Sequence, residues 1–398
     1  MDYVIDYDVG DRKRRGGINE DSVAVSVFEQ GHRDGLQRGT DDDAAADVGP
    51  RSTETGAAMG DAGRASSASG TESSRQGDDG GSRADAEETA DSANRSAAVV
   101  ALADGAGGHD AGDVASYIAT TVICEELADV AVRATRGDGD AFGVDVPDRL
   151  GPKVPDDGEI RAAVEDAIVT AHREIVRYTT EADTVAHTTV VAGLWLDGQF
   201  HYGWVGDSRA YLVNGAAGRI ERLTKDHSVV EELHDSGAID DVEAQVHPRG
   251  NEITRAIGGA AEADPDSATV SVDTRSVPVY AEDVLLVTSD GLIDAQTDAH
   301  DLYNRYVDAG RDERVGQQVW DAVVTDDELR ELVLQGDDLA TVASDLIAMA
   351  NERGGYDNLS TILAKDSALD ATPPGLDSRA IDPPHVSERE TVIIPDDS

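Results

Sequence analysis

Apolar residues in this chain occur in short runs, some alternating with polar residues as in strands and others recurring once per helical turn. Residues 22–28 (Ser-Val-Ala-Val-Ser-Val-Phe) alternate, which predicts a strand. Residues 97–103 are continuously apolar and predict a buried one. Helical spacing marks 115–132 and 159–178. Residues 188–196 and 199–205 flank Asp197-Gly198, the turn chemistry of a tight hairpin, and 208–213 continues as strand. Farther along, 283–288 is another buried run, 337–350 reads as a helix and 359–364 as a last strand. Strands joined by turns, with helices before and after, predict antiparallel sheets covered by helices.

Two segments break the pattern. Between Gly31 and Arg95 the only large aliphatic residues are Leu36, Val48 and Met59, and no aromatic residue occurs. The tail over 366–398 has a similar character, with Pro373, Pro374, Pro383 and Pro384. Such segments bury too little surface to offset the entropy of ordering them. The expectation is one domain over 1–365, interrupted by a disordered acidic insertion at 31–95 and followed by a disordered tail at 366–398.

Charge narrows the setting. Acidic residues outnumber basic ones 81 to 33, a formal charge of −48. That field repels nucleic acid and anionic lipid, so neither is an expected partner. Lysine occurs only at Lys13, Lys153, Lys225 and Lys365. An acid-rich, lysine-poor surface suits molar salt, where the Debye length falls to about 3 Å, and points to a halophilic source. The lone Cys124 allows no internal disulfide and lies in a helical stretch, as a packed thiol. The N-terminus lacks a basic region followed by an apolar run, and no stretch is apolar enough to span a membrane. A soluble, cytoplasmic protein is expected.

In so acidic a chain only position singles out a carboxylate. Ala101-Leu-Ala-Asp104-Gly is an apolar strand ending in a carboxylate, after which glycines let the backbone turn closely. Leu285-Leu-Val-Thr-Ser-Asp290-Gly291 repeats the arrangement. Asp357 precedes the strand at 359–364, Asp207 closes the hairpin, and Asp21 precedes the strand at 22–28. Singly, each has an ordinary reading as a turn, a cap or a loop ion pair. Together, carboxylates at strand edges would repel one another unless cations lay between them. Oxygen-only ligation selects Mg2+ or Mn2+ over zinc. Two such ions can share a water and lower its pKa, which suits phosphate esters.

The ordered set of motifs resembles the metal-dependent protein phosphatases of type 2C, in their bacterial and archaeal branch. The matching stretches begin with Asn19-Glu-Asp-Ser22, Ala103-Asp-Gly-Ala-Gly-Gly-His109, Thr188-Thr189 and Val205-Gly-Asp-Ser-Arg-Ala-Tyr211. They continue with Leu223-Thr-Lys-Asp-His-Ser228, Asn251-Glu-Ile-Thr-Arg-Ala-Ile-Gly258, Ser289-Asp-Gly-Leu292 and Gly355-Tyr-Asp-Asn358. The resemblance implies an α+β fold, a four-layer α-β-β-α sandwich of two antiparallel sheets flanked by helices, with metals in a cleft at one end. It implies metal-dependent hydrolysis of phosphoserine and phosphothreonine through a metal-bridging hydroxide, with two to three Mn2+ or Mg2+ ions.

Carried onto this chain, the resemblance gives Asp104 the bridge between two metals, with the Gly105 carbonyl as a further ligand. Asp290 and Asp357 become ligands of one metal, Asp21 acts through water, and Asp207 with Asp290 holds a third ion. The family's phosphate-binding arginine falls at position 16, here Gly16, so the role passes to the adjacent Arg15. Ala106 stands where a methionine is usual. His109 is either the general acid or a structural residue at a helix start, and His227 reads as structural. Residues 227–258 correspond to a mobile flap, and 294–336 to a helical elaboration. Implied partners are phosphoprotein substrates and a cognate serine/threonine kinase, in a signalling role, for a monomer. The alternative is a catalytically silent phosphoprotein-binding module of the same fold.

Overall fold

The computed structural model describes residues 1–11, 17–29, 32–39, 96–106, 111–135, 154–262, 264–294 and 298–381. One antiparallel sheet holds, in spatial order, β1 (Asp2–Asp8), β13 (Leu359–Lys365), β12 (Asp283–Thr288), β8 (Arg209–Asn214) and β9 (Arg219–Arg222). The other runs β10 (Ile257–Gly259), β5 (Ala186–Thr188), β4 (Ser96–Ala106), β6 (Val190–Leu196), β7 (Gln199–Val205) and β11 (Asp273–Pro278). To it β2 (Asp21–Glu29) adds beside β4, and β3 (His32–Gly39) pairs with β2. Helices α1 (Gly112–Thr135) and α2 (Asp157–Ala182) cover the second sheet, while α7 (Asp326–Gln335) and α8 (Leu339–Arg353) cover the first. The four-layer sandwich expected from the sequence is the fold observed.

The burial explains the sequence pattern. Along β4, Ala97, Val99, Ala101 and Ala103 pack toward α1 and α2, whereas Ala98, Val100 and Leu102 join Trp195, Tyr202 and Leu285 between the sheets. A strand covered on both faces reads as an unbroken apolar run. The same division places Leu285 and Val287 of β12 between the sheets and Val284 and Leu286 against α7 and α8. The hairpin turn between β6 and β7 has Asp197 at φ 49° and Gly198 at φ 69°, the two positive values that a tight primed turn requires. At the start of α2, Asp156 and Glu159 form a capping box.

Between β9 and β10 lies a flap containing α3 (Val229–Asp235) and α4 (Asp241–Gln245). Helices α5 (Ala299–Asp308) and α6 (Glu313–Trp320) pack on it through a separate apolar cluster of Val246, Leu302, Tyr306, Val319 and Val323. Tyr306 Oη donates to Asp240 at 3.1 Å, and Arg311 pairs with the buried Glu243 at 2.8 Å. Within the charge-rich 294–336 stretch, α5 and α6 thus brace the flap. No helix among the described residues is long and apolar enough to cross a membrane.

Two expectations of disorder are corrected. Residues 32–39, inside the expected insertion at 31–95, form β3, because strand pairing uses backbone groups that composition does not reveal. Residues 366–381, inside the expected tail at 366–398, lie against the sandwich: Leu369 and Ile381 pack on the inter-sheet core. Arg379 is 5% exposed and forms ion pairs with Asp283 at 2.6 Å and Glu221 at 2.7 Å. A buried double ion pair supplies what the apolar content lacks. The remaining parts of both segments lie outside the described residues.

Candidate metal centre

The starts of β2 and β13 and the ends of β4, β7 and β12 meet at one end of the sandwich. In the β2–β4 register Asp21 stands directly opposite Asp104. The Asp104 carbonyl accepts from Thr189 N–H at 2.8 Å and from the Thr188 hydroxyl at 2.6 Å. Gly105 N–H donates to the Glu20 carbonyl at 3.1 Å. A Cβ on Gly105 would sit 2.4 Å from the Gly112 backbone, so α1 starts where only glycine lets the Asp104 loop approach.

The other sheet brings Asp290 and Asp357 to the same place. Gly291 packs so closely on the residue after Asp357 that an added Cβ would lie 2.0 Å from the Asn358 carbonyl. The Asn358 side chain accepts from Glu20 N–H at 3.0 Å and donates to the Val9 and Ile18 carbonyls at 3.3 and 3.4 Å. The Ser289 hydroxyl donates to Asp21 Oδ2 at 3.0 Å. Residues from both ends of the chain are thereby pinned around one small space.

Electrostatics within that space is unfavourable without a cation. Burial, then the charge of Asp357, pushes the Asp21 carboxyl up to about 7. Burial, then Asp21, Asp290 and Asp357, holds Asp104 well above the usual carboxylate range. Burial, then Asp290, Asp226 and Asp294, does the same for Asp207. Asp294 rises to about 7, chiefly from burial, with Asp290 and Asp226 adding to it against the pull of Arg209. Asp21 Oδ1 is buried with no hydrogen-bond partner among the described residues. An unpaired carboxylate oxygen facing other carboxylates fits a divalent cation or its water, and the all-oxygen donor set fits Mg2+ or Mn2+.

Of the residues expected from the sequence, Asp21, Asp104, Asp290 and Asp357 interact at this centre. Asp207, beside Asp290, lies on its margin, and Gly105 lies in the turn after Asp104. Arg15 and His109 fall outside the described residues. The sequence did not single out Ser289, Asn358 or Asp294. The first two act through neighbours of a ligand candidate, and Asp294 is brought next to Asp207 by the single turn after Asp290, where Asp294 N–H donates to the Asp290 carbonyl at 2.8 Å. For Ser289 and Asn358 the available signal was their place inside the matching stretches at 289–292 and 355–358.

From Asp207 and Asp290 a cavity of about 980 Å3 extends between the flap and the region from α5 to α7, reaching His247, Trp320 and Thr325. Its guanidinium groups are committed: Arg209 and Arg222 bind Asp226, and Arg249 binds Glu252.

The sequence matches the family described as protein phosphatase 2C over residues 74–333, a span holding Asp104, Asp207 and Asp290 but not Asp21 or Asp357. It is similar to the serine/threonine phosphatase stp of Listeria monocytogenes serotype 4b (strain F2365), with 30% identity over 269 residues, 67% of this chain and 84% of that protein. The protein phosphatase PhpP of Streptococcus pneumoniae serotype 2 (strain D39 / NCTC 7466) is 27% identical over 274 residues, 69% of this chain and 87% of that one. A crystal structure of a bacterial serine phosphatase superposes with a TM-score of 0.56 at 20% identity, covering 94% of this chain and 99% of the other. That likeness concerns the fold alone.

Proposed function

This chain belongs to the protein phosphatase 2C family, metal-dependent hydrolases of phosphoserine and phosphothreonine in proteins, and we propose that its chemistry is carried by the cluster Asp21, Asp104, Asp290 and Asp357. The observation that carries this reading is the unpaired, buried Asp21 Oδ1 among carboxylates whose burial and mutual repulsion raise their pKa values. Asp104 and the Gly105 carbonyl would hold two ions between them, with Asp290 and Asp357 completing one of the two. Asp21, fixed by Ser289, would act through water, and Asp207 with Asp290 would take a third. Two to three Mn2+ or Mg2+ ions would supply Lewis acidity toward the phosphate and a water more acidic than in bulk.

The chain's own groups do the rest. Arg15 binds the phosphate, a task that guanidinium geometry suits. His109 gives a proton to the departing serine or threonine oxygen. The cavity beyond Asp207 receives the polypeptide around the phosphorylated residue. With its arginines paired, and Asp241, Asp326 and Asp327 on its wall, it favours basic flanking residues. The setting we propose is a halophilic cytoplasm, with a kinase placing the phosphates that this enzyme removes in signalling, and with the protein a monomer. The silent binding module is disfavoured, since every carboxylate of the expected set is present.

The test is phosphate release from a phosphothreonine peptide in molar KCl, with Mn2+, with Mg2+ and with chelator. Release only with metal is expected. Peptide retained without release would replace hydrolysis by binding.

A further inference from the structure

Gly206, directly before Asp207, gives both of its backbone groups to one side chain and its backbone. Its N–H donates to His227 Nδ1 at 3.0 Å, and its carbonyl accepts from His227 N–H at 2.9 Å. The other ring nitrogen, Nε2, lies 2.8 Å from Asp273 Oδ2, which Arg255 also reaches at 3.2 Å. An ionised carboxylate only accepts, so Nε2 carries the proton and Nδ1 is left to receive Gly206 N–H. The ring is 5% exposed and stacks on Trp204, centroids 6.1 Å apart and planes 14° from parallel.

The same residue closes the base of the flap. The His227 carbonyl accepts from Thr254 N–H at 2.7 Å, and the next residue, Ser228, bridges to Ile253. Gly206 has little room to adapt: at φ +107° a Cβ would lie 2.5 Å from the Thr189 Cβ. On the far side of Asp207, Ser208 and Thr189 hydroxyls are 2.7 Å apart, and Thr189 binds the Asp104 carbonyl. Asp207 is therefore held from both flanks.

We infer that His227 is a positioning residue, whose neutral, Nε2-protonated ring sets the Asp207 carboxylate beside Asp290 and fastens the flap base to the same point. The sequence-level expectation of a merely structural histidine is thereby extended. This inference rests on the proposed role of Asp207 as a cation ligand. Partners that orient a ligand typically change metal affinity by about 10–100-fold when removed.

The experiment is Mn2+ titration of the metal-stripped full chain by calorimetry, for wild type, His227→Asn, His227→Gln and Asp207→Asn. An Asn carbonyl can occupy the Nδ1 position and keep the Gly206 bond, whereas a Gln amide reaches toward Asp273 and leaves Gly206 N–H without its acceptor. Expected is a loss of about tenfold or more in affinity of the weakest ion for His227→Gln, with faster amide exchange over 204–210, and near wild-type behaviour for His227→Asn. Asp207→Asn should remove that ion. Equal affinities in the two His227 variants would overturn the positioning role while sparing Asp207. Unchanged binding in Asp207→Asn would remove the ligand reading and the inference together. Nitrogen NMR of the wild-type ring gives a check that needs no variant: Nδ1 must be the unprotonated nitrogen, and the opposite tautomer overturns the inference.

Discussion

Replacing Arg379 by leucine tests a part of the fold that composition argued against. The guanidinium joins Glu221 and Asp283, whose side chains are 3% and 0% exposed. Its loss leaves two carboxylates under the tail, and removing one member of a buried ion pair costs about 3–5 kcal/mol. Asp283 retains Asn214 Nδ2 and Tyr280 N–H, each at 2.8 Å, which favours the lower end of that range. At about 2 °C per kcal/mol for a domain of this size, the midpoint should fall by about 6 °C. Because the pair is buried, molar salt should screen it little. Ending the chain at residue 365 should cost more, since the contacts of Leu369 and Ile381 with the core go too. The assay is thermal unfolding by circular dichroism in high KCl. A shift under about 2 °C for both variants would mean that residues 366–381 are dispensable and that the packing of Arg379 contributes nothing to stability.

Further outcomes follow from the centre itself. Gly291→Ala places a methyl 2.0 Å from the Asn358 carbonyl, so it should lower both melting temperature and Mn2+ affinity; a variant indistinguishable from wild type in both would contradict the close approach. The Asp21 carboxyl is raised from 3.8 to about 7, so between those values the folded, metal-free protein binds more protons than the unfolded chain. Raising pH through that window removes stability, and cations return it, so the rise in melting temperature on adding Mn2+ should be larger at about pH 8 than at about pH 5. An increment independent of pH would argue that these carboxylates do not meet the ion. With a formal charge of −48, the melting temperature should climb steeply with KCl toward molar concentration, and a flat response would remove the halophilic reading.

The sandwich was legible because its central strands are covered on both faces and its hairpin carries Asp197-Gly198, signals that need no tertiary context. The strand β1 was not, since Asp2, Asp6 and Asp8 interrupt it at the sheet edge, where it needs one partner, β13. Nor was β3, since its pairing with β2 uses backbone groups that composition does not reveal. The carboxylates of the centre could be picked out by their place at strand ends beside glycine. Asp294, Ser289 and Asn358 could not, because their importance arises from contacts made only when distant segments meet: Asn358 binds Glu20 across most of the chain, and Ser289 binds Asp21. Arg379 was hidden for the same reason, its two partners lying far back in sequence.

The central claim is that carboxylates from both sheets gather divalent cations that turnover requires. Equilibrium dialysis of Mn2+ against the metal-stripped protein, beside Asp104→Asn and with phosphopeptide turnover followed on the same samples, tests it most directly. Wild type should retain at least two ions and release phosphate, while Asp104→Asn, lacking the charge that faces Asp21, Asp290 and Asp357, should lose ions and activity together. Full ion retention and full turnover in Asp104→Asn would contradict it.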